Sequence, residues 1–86
     1  MKVLIPTPLF SYTNSERMVE ARGATLAEAL LDLDRQFPGI RFRIIDEQDR
    51  IRKHIRFFIN SEQELSLERA LNDKDEIFIV QALSGG

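Results

Sequence analysis

No cysteine occurs in this sequence. Disulfides, thiolate metal sites and a cysteine nucleophile are therefore excluded, and a cytoplasmic protein is the expectation. Histidine occurs once, as His54. With no second histidine and no carboxylate cluster at metal-ligand spacing, His54 reads as a structural residue rather than a ligand or base. No apolar run approaches the roughly 20 residues that span a bilayer. Pro6 and Pro8 interrupt the start of the chain, which speaks against a signal peptide. The formal net charge of −2 gives no reason to expect nucleic acid or an anionic membrane as a partner. No nucleophile–base pair, metal cluster or phosphate loop stands out, and Asp73-Lys74-Asp75 reads better as a turn. An enzyme is thus the weakest reading.

What is present is a chain of 86 residues, 43% hydrophobic and 30% charged. That composition suits one ordinary globular domain over 1–86 with one modest core. Lys2 to Ile5 reads as a strand, and Pro6 and Pro8 should cost it ladder bonds. Leu9, Phe10 and Tyr12 continue the extended pattern. Thr13-Asn14-Ser15 forms a turn, and Arg17 to Ala21 alternates as the return strand, ended by Gly23. Thr25 and Glu28 form a capping box. Leu26, Ala29, Leu30, Leu33 and Phe37 then share one helical face, with Glu28, Asp32 and Arg35 toward water. Pro38-Gly39 stops the helix.

Ile40 to Ile45 reads as a short strand, turned at Asp46 to Asp49 and pairing back through Arg50 to Lys53. Residues 40–56 carry six basic residues (Arg41, Arg43, Arg50, Arg52, Lys53, Arg56) against three acidic ones, so the stretch is net +3. It is either a solvated hairpin or a docking surface for an acidic partner. Ile55 to Asn60 is a strand with Ile55, Phe57 and Ile59 inward and Arg56, Phe58 and Asn60 outward. Leu65, Leu67 and Leu71 belong to a short connection, and Asn72 to Asp75 to a polar turn. Glu76 to Ala82 is the last strand. The first and last strands should lie parallel and adjacent, with one main helix across a mixed sheet. The expectation is an α+β, β-grasp or ubiquitin-like, fold.

The sequence closes on Leu83-Ser84-Gly85-Gly86. Two glycines can lie extended in a slot too narrow for other residues and carry high backbone entropy, so a mobile arm is expected in the free chain. A carboxylate on Gly86 would be unhindered. The bland alternative is a frayed end or an appended scar.

Several stretches carry a family resemblance: Thr25 to Leu30, Phe37-Pro38-Gly39, Phe57 to Glu62, Leu71 to Ile77, and Gly85-Gly86. Together they resemble the MoaD/ThiS family of sulfur carriers, which includes small subunits like that of molybdopterin synthase. The likeness covers nearly the whole chain. The basic stretch with Ile44 to Glu47 resembles the branch serving cysteine, siderophore or other thiocarboxylate-dependent pathways. The sequence departs from the common family pattern at Ser61, Lys74 and Gln81 to Ser84. The resemblance implies a carrier with no catalytic residue and no bound cofactor or metal of its own. A ubiquitin-activating-type adenylyltransferase, using ATP and magnesium, would adenylate Gly86 with Leu83, Ser84 and Gly85 threaded into its channel. Sulfur from a donor would then replace AMP, and the thiocarboxylate would serve an acceptor enzyme. The alternatives are a ubiquitin-like modifier conjugated through Gly86 and a plain β-grasp interaction module.

Strand parity adds a docking face. With Ile77 and Ile79 inward, Phe78 and Val80 face out. Phe58 joins them if the strands are neighbours, unless residues 40–54 fold over the patch.

Overall fold

The structure, a computed structural model, describes residues 1–82. The expectations for Leu83, Ser84, Gly85 and Gly86 lie outside the described residues. Five strands form one mixed sheet: β1 (Lys2–Leu4), β2 (Met18–Glu20), β3 (Ile55–Ile59), β4 (Glu62–Glu64) and β5 (Glu76–Gln81), in the order β2-β1-β5-β3-β4. β5 occupies the centre, parallel to β1 and antiparallel to β3. Helix α1 (Leu26–Gln36) covers the inner face. Its Leu26, Leu30 and Leu33 are buried with Val3, Phe57, Ile59, Ile77 and Ile79 of the sheet. Each such leucine contributes about 1.5–3 kcal/mol by leaving water. This is the β-grasp arrangement.

α1 begins as its sequence dictates. The Thr25 hydroxyl accepts from the Glu28 amide at 3.2 Å. The Glu28 carboxylate reaches back one residue beyond the usual box, to the Ala24 amide at 3.0 Å. Gly23 precedes it in tight quarters. A Cβ there would lie 2.5 Å from the Ala29 nitrogen and 2.8 Å from the Glu28 carbonyl carbon. Those are backbone atoms of the helix and cannot step aside. Gly23→Ala should therefore destabilise the domain by about 1–3 kcal/mol, the range for overpacking; urea denaturation checks this.

Four readings of the sequence are corrected. Thr7–Tyr12 is a 3-10 helix rather than extended chain. Proline has no N–H to donate and a φ preset for a first helical turn, so Pro8 starts the helix well, and Leu9 is its buried anchor. Ile40–Ile44 is a short helix, α2, not a strand. Asp34, from α1, accepts from the amides of Gly39 at 3.1 Å and Arg41 at 3.0 Å and so caps it. Only Ile45 and Ile51 pair across the following turn. Asp32 is buried rather than solvated: it accepts from the Arg22 amide, Gln36 and Arg35. Finally, β4 is a short edge strand that the sequence reading left as turn and connection.

Asn60 and Asp75 latch the β3–β4 turn to the start of β5. Asn60 donates to Asp75 at 2.7 Å and accepts from the Glu76 amide at 3.0 Å. Asp75 also accepts from the Asn72 amide at 2.9 Å. The Asn72 amide, then the Asn60 side chain, hold the Asp75 carboxyl below its ordinary value. A depressed folded-state value adds stability above the unfolded-state value and loses it as pH falls through the folded one. Stability should thus decline on acidification below about pH 4, and Asp75→Asn should flatten that decline. Denaturation at pH 7 and pH 3 measures both.

Candidate docking face and the root of the carboxy-terminal arm

Alternation along β5 decides which side chains reach the outer face of the sheet. Ile77 and Ile79 are buried, whereas Phe78 is 39% and Val80 40% exposed. On β3, Ile55, Phe57 and Ile59 are buried and Phe58 is half-buried on the outer side. Phe58 and Phe78 stand directly opposite one another in the ladder. The sheet register brings in two residues that sequence reading missed. Leu4 pairs with Phe78 across β1 and β5, and Met18 pairs with Leu4 across β2 and β1. Met18-Leu4-Phe78-Phe58 therefore form one apolar row across four strands, with Val80 beside Arg56 in the next row. Alternation along Lys2 to Ile5 is the signal that would set Leu4 on the face opposite to Val3. What sequence could not supply was the register joining it to Phe78.

Residues 40–54 do not cover this face. α2 packs against α1 and the 3-10 helix, on the opposite side of the sheet. Its Ile40 and Ile44 are spent in the core. A contiguous exposed apolar row is the usual mark of an interface.

The end of β5 is extended by one further backbone contact. The Ala82 amide donates to the His54 carbonyl at 2.8 Å, one step beyond the Gln81–Ile55 pair. His54 contributes its backbone carbonyl here. Four residues, Leu83, Ser84, Gly85 and Gly86, follow this anchor. Among the described residues no group of three or more His, Cys, Asp or Glu side chains is gathered to hold a metal ion. No described helix is long and apolar enough to cross a membrane.

Comparison with known proteins accords with this architecture. The model of the ThiS family matches residues 3–86. The sulfur carrier protein CysO of Mycobacterium tuberculosis is 30% identical over 98% of this chain and 96% of its own length. A chain in the crystal structure of the Amycolatopsis orientalis BexX/CysO complex superposes with a TM-score of 0.90 at 34% identity, covering 99% of this chain and 98% of that one. The solution structure of small archaeal modifier protein 1 from Methanosarcina acetivorans gives 0.81 at 26% identity, over 99% and 94% of the two chains. A β-grasp sheet whose central strand leads into Gly85-Gly86, matched end to end by these relatives, belongs to a member of the ThiS family, homologous to the CysO sulfur carrier proteins.

Proposed function

We propose that this chain carries sulfur as a thiocarboxylate on Gly86. A carboxylate is a poor electrophile, because its charge is delocalised and its leaving group would be oxide. Adenylation removes that obstacle. A Gly86 carboxylate oxygen attacks the α-phosphate of ATP held with magnesium by a ubiquitin-activating-type enzyme, and pyrophosphate leaves. Hydrosulfide supplied by the donor attacks the acyl carbon, AMP leaves with the former carboxylate oxygen, and the S–H proton is lost to give the thiocarboxylate. The product is a soft nucleophile on a thin arm, presented to an acceptor enzyme of the pathway. The chain supplies recognition and position, and its partners supply the catalysis. Leu83, Ser84 and Gly85 are the residues that thread, and the outer apolar patch of Phe58, Phe78 and Val80, extended by Leu4 and Met18, is the docking face.

The observation that carries this reading is the anchoring of the chain at Ala82, beside an exposed apolar row and four residues before Gly86. ATP–pyrophosphate exchange tests it. The intact chain should stimulate exchange by an activating enzyme in a saturable, carrier-dependent way. An enzyme that activates a related carrier but ignores this one would count against it.

Conjugation to protein lysines through the same activated carboxylate is the second reading. The likeness to small archaeal modifier protein 1 favours it. A ladder of conjugates on a denaturing gel would support the modifier. A single species bearing sulfur supports the carrier.

A further inference from the structure

The net positive stretch around α2 is not absorbed by the apolar docking face. It lines a cleft of about 380 Å³ at the root of the arm, bounded by Tyr12, Phe42, Arg43, Arg52, His54 and Gln81. Gln81 shares the parity of Ile77 and Ile79, so this cleft opens on the helix side, opposite to the apolar row. Two arginines are set there by specific contacts. Arg43 donates through Nε to the Tyr12 hydroxyl at 2.7 Å. Arg52 donates through Nε to the Phe42 carbonyl at 2.8 Å and lies 4.8 Å over the Phe42 ring. Each guanidinium is thereby fixed at its inner nitrogen. Among the described residues neither forms a salt bridge, and their terminal nitrogens have no acceptor. Arg41 and Arg69, by contrast, are neutralised by Asp49 and Glu64.

We infer that the Arg43–Arg52 cleft binds acidic side chains on the rim of the partner enzyme's arm-receiving channel. Two preset planar forks match carboxylates, which accept two parallel hydrogen bonds. The position favours a partner carboxylate over the nucleotide. Four extended residues span about 14 Å at most, so a threaded arm carries its reacting carbon well away from the cleft at Ala82. What meets the cleft in such a complex is the surface around the channel mouth. The partner would then hold the arm's root from both sides of the sheet, apolar on one and ionic on the other. The ionic contact also steers encounter, so association should depend on salt.

This inference rests on the carrier reading only for the identity of the partner. Its first test is pyrophosphate exchange with an activating enzyme that accepts the wild-type chain. The Arg43→Gln/Arg52→Gln variant should raise KM for the carrier roughly tenfold, leave kcat within about twofold, and flatten the salt dependence of kcat/KM. Arg17→Gln/Arg22→Gln, with the same charge change elsewhere, should do neither. Thermal unfolding of both variants excludes a loss of fold. An unchanged KM and salt slope in the cleft variant would overturn the inference while leaving the carrier reading intact. The second test needs no enzyme. An Asp/Glu hexapeptide at low salt should shift the amide resonances of Tyr12, Phe42 and His54, and its Asn/Gln counterpart should not. Shifts there no larger than at Arg17 and Arg22 would likewise overturn it. If the wild-type chain supports no exchange with any activating enzyme, the carrier reading fails by itself and the titration decides the cleft.

Discussion

Deleting Gly86 should abolish activation and leave the fold untouched. The acyl carbon that reacts in the proposed mechanism belongs to this residue. Its removal leaves Gly85 as the terminus, one residue, or about 3.5 Å, short of the α-phosphate. Misplacement by far less than that already costs orders of magnitude in rate when reacting atoms must approach in line. Extension beyond Gly86 should be equally damaging, because the reacting carboxylate becomes an amide. Neither change touches the core, whose members all lie between Met1 and Ile79. Circular dichroism and urea midpoints should therefore match the wild-type chain, with pyrophosphate exchange lost. Normal exchange by the truncated chain would end the carrier account.

The second large effect falls on the outer face. Phe58→Ala and Phe78→Ala should each weaken binding to the activating enzyme by about 1–3 kcal/mol, the range of aromatic interface anchors. The same substitutions should cost the free domain only about 1 kcal/mol or less, the scale of a cross-strand pair on a solvated face. Phe57→Ala, one residue away, inverts the pattern. Phe57 is fully buried, and its truncation should cost about 3–5 kcal/mol of stability. Denaturation and partner affinity on the three variants separate the two roles. Unchanged affinity for the Phe58 and Phe78 variants would remove the outer row from the interface.

Much of this geometry was legible because the decisive strands carry their own pattern. Ile55-Arg56-Phe57-Phe58-Ile59 and Glu76-Ile77-Phe78-Ile79-Val80 alternate cleanly, so parity alone fixed which aromatics face out. The parallel pairing of the first and last strands and the start of α1 were likewise readable, the latter from Thr25 and Glu28. Other features depended on contacts remote in sequence. Ile40 and Ile44 lie on one side of a strand and also one turn apart on a helix, so their pattern does not choose. The choice is made by Asp34, which caps α2 from the preceding helix. Glu62-Gln63-Glu64 lacks any apolar signal, and only its pairing with β3 makes it a strand. Asp32 is buried because the Arg22 amide, in the loop before α1, needs an acceptor. The apolar row needed a register that no single strand encodes, and so Leu4 and Met18 emerged only from the sheet. The paired guanidiniums of the cleft needed Tyr12 and the Phe42 carbonyl as well, and these come from two separate helices.

The central claim is that Gly86 becomes a thiocarboxylate, and intact-mass spectrometry addresses it most directly. The chain is incubated with its activating enzyme, ATP, magnesium and a sulfide source, and fragmentation then locates the change. The account predicts one sulfur in place of one oxygen, confined to the fragment containing Gly86 and absent without ATP. An unchanged mass under conditions in which the enzyme loads a related carrier, or sulfur found on any other residue, would contradict it.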